Sequence, residues 1–129
     1  MAKWSLYAMA AFYLFAGSYH FINPDFYAGL IPDYLPAHDF LHRLAGAFEL
    51  VFGLALFFER TRWWATRGIL LMLLAFVPAH VHFIAIGSCI EGGLCVPPWI
   101  GWVRLVVIHP LLLYWAYRVG KSRTRVGVS

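Results

Sequence analysis

Residues 68–87 read Gly68-Ile69-Leu70-Leu71-Met72-Leu73-Leu74-Ala75-Phe76-Val77-Pro78-Ala79-His80-Val81-His82-Phe83-Ile84-Ala85-Ile86-Gly87. The run contains no Asp, Glu, Lys or Arg. At a helical rise of about 1.5 Å per residue it covers the ~30 Å hydrocarbon core of a bilayer. A buried strand or short core helix of a soluble protein is shorter than this. Three comparable runs lie on either side, at 4–22, 40–58 and 100–117. In lipid, a lone segment satisfies its own backbone only as a helix. The expected fold is all-α: a four-transmembrane-helix bundle with an amphipathic outer loop between helices 1 and 2. Residues 1–129 form a single integral membrane domain that ends in a short basic cytoplasmic tail, 118–129.

Composition points the same way. The chain has 129 residues, 62% apolar and 12% charged, against about half apolar and about a quarter charged in soluble domains. A soluble chain of this size could not bury so much apolar surface. Disorder is excluded by the same numbers. The pI of about 9.3 would fit nucleic acid only if the cations formed a stripe, and they do not.

The cations instead orient the bundle. Lys3, Arg60, Arg62, Arg67, Arg118, Lys121, Arg123 and Arg125 fall at one side, whereas Asp25, Asp33, Asp39 and Glu91 fall at the other, with Arg43 and Arg104 at its border. The positive-inside rule then places both termini in the cytoplasm, at an inner (plasma) membrane. The first run has the outline of a signal peptide, but it ends in His20-Phe21-Ile22-Asn23-Pro24 without a small-residue cleavage site. It is therefore read as a mature span. Trp4, Trp63, Trp64, Trp99, Trp102, Trp115 and Tyr117 sit where interface anchors belong.

Two outer loops follow from this topology. In 23–36, three prolines (Pro24, Pro32, Pro36) prevent a long helix. Its aromatic residues suit either a connector along the membrane surface or a lid over the bundle mouth. The second loop, Cys89-Ile90-Glu91-Gly92-Gly93-Leu94-Cys95, faces an oxidising compartment. Cys89 and Cys95 are read as a structural disulfide. A redox-active pair or a metal site are the alternatives.

Ionisable residues inside membrane spans are costly and mark function. Here they are His20, Glu49, His80, His82, Arg104 and His109, with His42 and Arg43 near the rim. By helical rise, His20 lies near the outer end, His80 about 10 Å below it, and Glu49 and His109 near mid-depth, about 15 Å down. Helical phase puts His42, Gly46, Glu49 and Gly53 on one stripe, Tyr13, Ala16, Gly17 and His20 on another, and Met72, Phe76, Ala79 and His80 on a third. The small residues permit close helix approach. Arg104 and His109 are five apart and cannot both face inward on a regular helix; Pro110 and Pro78 are the candidates for a distortion. His82, two residues from His80, projects elsewhere.

Four uses compete for this outward-facing pocket. His20, Glu49, His80 and His109 could ligate a transition metal. Two histidines could hold a haem. The groups, with Arg104, could hydrogen-bond a quinone-like ligand. They could also form a buried polar network that only locks the bundle. No phosphate loop, H-E-x-x-H pattern or Rossmann glycine run is present.

Taken together, Gly17-Ser18-Tyr19-His20-Phe21-Ile22-Asn23-Pro24, Tyr27, Pro32-Asp33-Tyr34-Leu35-Pro36, Gly46-Ala47-Phe48-Glu49-Leu50, Gly53, Arg60-Thr61-Arg62 and Pro78-Ala79-His80 resemble the DoxX-like family of small four-helix membrane proteins. The resemblance covers roughly residues 5–117. It implies the architecture, a redox association, and His20 and Glu49 as the buried polar pair. It also implies that His80 and His109 stand where the family more often carries amides, which favours a metal or haem here. The function expected is a redox-associated oxidoreductase or subunit of one. Glu49 and His20 act in the chemistry, and His20, Glu49, His80, His109 and Arg104 bind the cofactor. The alternative is a non-catalytic accessory subunit or assembly factor of a larger membrane complex.

Overall fold

A computed structural model describes residues 3–124, with side chains for 3–121 except Ala28. Arg125 and the side chain of Arg123, two of the cations counted for orientation, lie outside the described residues. Every named element is helical: α1 (Lys3–Ile22), α2 (Pro24–Ala28), α3 (His38–Ala55), α4 (Glu59–Ala75), α5 (Val77–Ala85), α6 (Pro98–Val103), a π-helical segment (Arg104–Ile108) and α7 (His109–Thr124). They make four rods: α1, α3, α4 with α5, and α6 through α7. α1 packs along α3, α4 along α7, and α3 against α4.

Two boundaries differ from the sequence reading, and a third feature, a break before Pro78, is one for which that proline was the candidate. The basic stretch Arg60-Thr61-Arg62, expected as a connector, is the first turn of α4. Thr61 Oγ1 donates to the Ala55 carbonyl at 2.8 Å, and Arg62 Nε to the Leu56 carbonyl at 3.0 Å. These side chains satisfy the orphan carbonyls that end α3, so residues 56–58 suffice for the turn. At the other end the expected tail remains helical to Thr124. Arg118 and Lys121 lie over the rings of Tyr114 and Tyr117, one turn back, and such pairs support a helix. The third rod breaks at Phe76, two residues before Pro78. Proline has no N–H to give the preceding turn and crowds its carbonyl.

The apolar core lies toward the end of the bundle where α1 begins and α7 ends. Met9, Ala10 and Tyr13 of α1, Leu56 just after α3, Ala65, Ile69, Met72 and Leu73 of α4, and Ala116 and Val119 of α7 form one buried cluster. Trp115 Nε1 donates to Ser5 Oγ at 2.8 Å and ties α7 to α1 there. The opposite end is not filled.

Glu59–Ala85 and Pro98–Lys121 are each long and apolar enough to cross a membrane, and only 22% and 17% of their most apolar windows are buried within the chain. α3 includes Asp39, Arg43 and Glu49 among its 18 residues, and α1 dilutes its apolar residues with tyrosines, Lys3 and His20.

Candidate functional site

The unfilled end encloses a cavity of about 650 Å³. Its wall is largely apolar, with phenylalanine, leucine, alanine and proline side chains from α1, α3, α4 and α5. Into it project Tyr13, His20, Tyr27, His42, Glu49, His80 and Arg104.

Glycines bring the first pair together. Gly17 and Gly46 face each other where α1 meets α3. A Cβ on Gly46 would stand 2.6 Å from His20 Cβ, and one on Gly17 would stand 2.8 Å from the Gly46 carbonyl oxygen. With no side chain at either position, His20 Nε2 reaches 3.4 Å from Glu49 Oε2, both side chains buried. At that separation Glu49 Oε2 still has no hydrogen bond, nor has His20 Nδ1. The α3 stripe appears as expected: His42, Gly46, Glu49 and Gly53 are its buried residues.

His42, expected near the rim, is buried beside His20, the two rings parallel and 6.0 Å apart. Its Nε2 lies 3.1 Å from Asp39 Oδ1, and Asp39 also pairs with Arg43 at 3.3 Å. The Asp39 carboxylate is 71% exposed. A row of titratable groups thus runs from the surface to Glu49: Asp39, His42, His20, Glu49. The Nδ1 atoms of His42 and His20 are both buried without a partner.

The outer loop acts as a roof. Phe26, Tyr27, Leu30, Ile31, Pro32 and Leu35 all line the cavity. Tyr27 lies flat on His20, centroids 3.5 Å apart. Burial pushes the Tyr27 phenol up to about 12; the Glu49 carboxylate and Tyr19 add to the rise and Arg104 opposes it. His38 Nε2 lies 3.1 Å from the Pro32 carbonyl and fastens the roof to α3. Cys89 and Cys95 are disulfide-bonded, and their loop braces the roof from outside. A Cβ on Gly29 would lie 2.5 Å from Ile90 Cγ2, and one on Gly93 would lie 3.3 Å from the Asp25 carbonyl oxygen. Of the two readings of the outer loop, the lid describes this arrangement.

The fourth rod solves the facing problem of Arg104 and His109 with a π segment between them. The His109 N–H donates to the Arg104 carbonyl, five residues back. One residue more per turn puts positions five apart on one face. Pro110 lacks the N–H that a regular helix needs there and crowds the preceding turn. His109 is buried and its ring meets His80 edge to face at 4.7 Å. It stands behind His80 and is not among the lining residues. Arg104 lies over Phe83, 4.9 Å from the ring centroid. His82 is not a lining residue either.

The four residues grouped from sequence as one metal set thus form two pairs, His20 with Glu49 and His80 with His109. Among the described residues no three His, Cys, Asp or Glu side chains converge to hold a metal ion. The sequence reading left Tyr27 out of the site, although it stands among the residues that carry the family resemblance and is an aromatic in a proline-rich loop.

Fold and site together define an all-helical protein with two helices able to cross a membrane and a roofed cavity whose polar groups come from different helices. The chain belongs to the family described as a domain of unknown function (DUF8561), which it matches over residues 9–120. No curated protein matches it, and no solved structure does.

Proposed function

We propose that this protein is a redox-associated four-helix membrane protein of DoxX-like architecture, with both termini cytoplasmic and a cavity that binds a quinone-like ligand from the outer side. The cavity carries the reading. It has the size and apolar lining of small-molecule sites, with a few convergent polar groups. His20 and Glu49 supply a proton donor and acceptor, and the row from Asp39 supplies a route for protons. The donor set fits an organic ring better than a metal or haem. Each of the two pairs, His20 with Glu49 and His80 with His109, offers two donors, the His20 face is already covered by Tyr27, and His80 is in contact with His109.

The outer surface supports the membrane. Large apolar side chains stand exposed along every rod, among them Trp4 at 82%, Phe15 at 73% and Leu71 at 69%. Water would penalise such a surface and lipid would not.

The test is purification in mild detergent followed by solvent extraction and mass spectrometry, beside Glu49→Gln. The expected result is a quinone-like molecule near one equivalent, lost in a Glu49→Gln protein that still folds. An undiminished ligand in the variant removes Glu49 from the site. A chain without ligand that co-migrates with a larger enzyme replaces this reading with that of an accessory subunit.

A further inference from the structure

Arg104 is the one arginine or lysine among the residues that line the cavity. None of the ion pairs among the described residues includes it. Its Nη1 is sealed from solvent and has no hydrogen-bond partner. Its contact with Phe83 is through a ring face, which leaves the in-plane N–H groups of the guanidinium unused. Arg104 is half-buried, and a cation drawn partly out of water without a counter-charge is unfavourable; guanidinium is the side chain best shaped to grip an oxyanion through paired N–H groups. The fold also goes out of its way to place it. The π segment begins at Arg104, and a regular helix would not direct both Arg104 and His109 inward.

A second polar group of the lining comes from α3: Glu49, its Oε2 unpartnered, stands beside His20. The roof residue Tyr27 is within electrostatic reach of both Glu49 and Arg104, so the two groups face one volume. Between them the lining is apolar.

We infer that the cavity selects a quinone-like ring that carries an ionised oxygen, with this oxyanion held by Arg104 and a hydroxyl or carbonyl on the far side of the ring turned to His20 and Glu49. This rests on the reading of the cavity as a quinone-like site and narrows its ligand to an acidic hydroxyquinone. Arg104 is then a binding and specificity residue.

The experiment uses the full chain in nanodiscs and two probes of similar size. Lawsone is a hydroxynaphthoquinone that is an anion at neutral pH, and menadione is a neutral naphthoquinone. Equilibrium binding is measured for the wild type, Arg104→Gln and Arg104→Lys, with thermal unfolding of each unliganded protein. The expected result is a preference of the wild type for lawsone of about tenfold or more, the ratio that about 1.4 kcal/mol supplies. Arg104→Gln abolishes the preference by weakening lawsone while menadione changes little. Arg104→Lys keeps part of it. The unliganded Arg104→Gln protein melts no lower than wild type, because the substitution removes an uncompensated charge. Equal binding of both probes, unchanged in Arg104→Gln, overturns this inference and leaves the quinone-like site standing. An Arg104→Gln protein that fails to fold overturns it too, because the arginine is then structural. Binding of neither probe to the wild type overturns the quinone-like site itself.

Discussion

Gly46→Ala is the sharpest perturbation of the site, because it adds one methyl group where α3 packs directly on the α1 backbone at Gly17 and His20. The new Cβ would stand 2.6 Å from His20 Cβ, 3.0 Å from His20 Cγ and 3.1 Å from the Gly17 carbonyl oxygen. The first and last of these atoms are fixed by the backbone of α1, so no rotamer change relieves the clash and the helices must part. Overpacking of this kind costs about 1–3 kcal/mol. Alanine recovers about 0.5–1 kcal/mol as the better helix former. The net loss is therefore up to about 2.5 kcal/mol, with a central value of about 1 kcal/mol, and His20 moves away from Glu49. Gly53→Ala is the internal control. Its Cβ would meet Leu14 at 3.1–3.2 Å, with flexible side-chain atoms among the closest, so the propensity gain nearly cancels the strain. Thermal unfolding in one detergent and ligand titration measure both effects. Gly46→Ala should melt lower than wild type and bind more weakly, with Gly53→Ala near wild type in both. A Gly46→Ala protein with unchanged melting and affinity, or a larger loss at Gly53 than at Gly46, would refute the close α1–α3 contact as the basis of the site.

Three further outcomes follow from the same geometry. Pro110→Ala restores a backbone donor and removes the ring that crowds the preceding turn; the fourth rod should relax toward a regular helix, melt higher and turn Arg104 away by about 100°, so that lawsone affinity falls as in Arg104→Gln. Replacing Cys89 and Cys95 with serine removes the covalent brace behind Ile90, so hydrogen exchange across residues 24–35 should quicken and ligand dissociate faster, with affinity reduced less than the off-rate rises; unchanged exchange would show that the roof holds without the disulfide. Tyr27 titrates in the fold at about 12, above its ordinary value of 10.0. The folded state thus favours the neutral phenol, and its contribution to stability is complete below about pH 10 and lost as pH rises toward 12. Melting temperatures from pH 9 to 12 should fall more steeply for wild type than for Tyr27→Phe, which keeps the ring on His20.

What was legible in the sequence divides by the range of the interaction. The rods were legible because each apolar run is long and helical phase is local. The α3 stripe of His42, Gly46, Glu49 and Gly53 needed only the 3.6-residue period, and it is the buried face of that helix. The rod ends were read less well. The basic residues at 60–62 look like a loop until Thr61 and Arg62 are seen to cap the carbonyls at the end of α3. That capping depends on the turn between two helices, which composition does not record. Likewise, nothing in the row of proline and aromatic residues at 23–36 says that Tyr27 stacks on His20, a contact set by how the roof folds back over the bundle.

The fourth rod shows where a local rule fails in an informative way. On a regular helix Arg104 and His109 could not both face inward, and the sequence reading required a distortion near Pro110. The structure holds a π segment between the two residues, and with it the conflict disappears. A π segment forfeits regular helical hydrogen bonding, so its position between these residues calls for a compensating gain. Within the chain Arg104 lies over Phe83 and His109 meets His80 edge to face, but Arg104 Nη1 and His109 Nε2 are both buried without hydrogen-bond partners, which leaves part of that gain to be supplied. An oxyanion in the cavity would supply it at Arg104. The same irregular turn that breaks the helical period is then what aims the one cation of the cavity wall at its ligand.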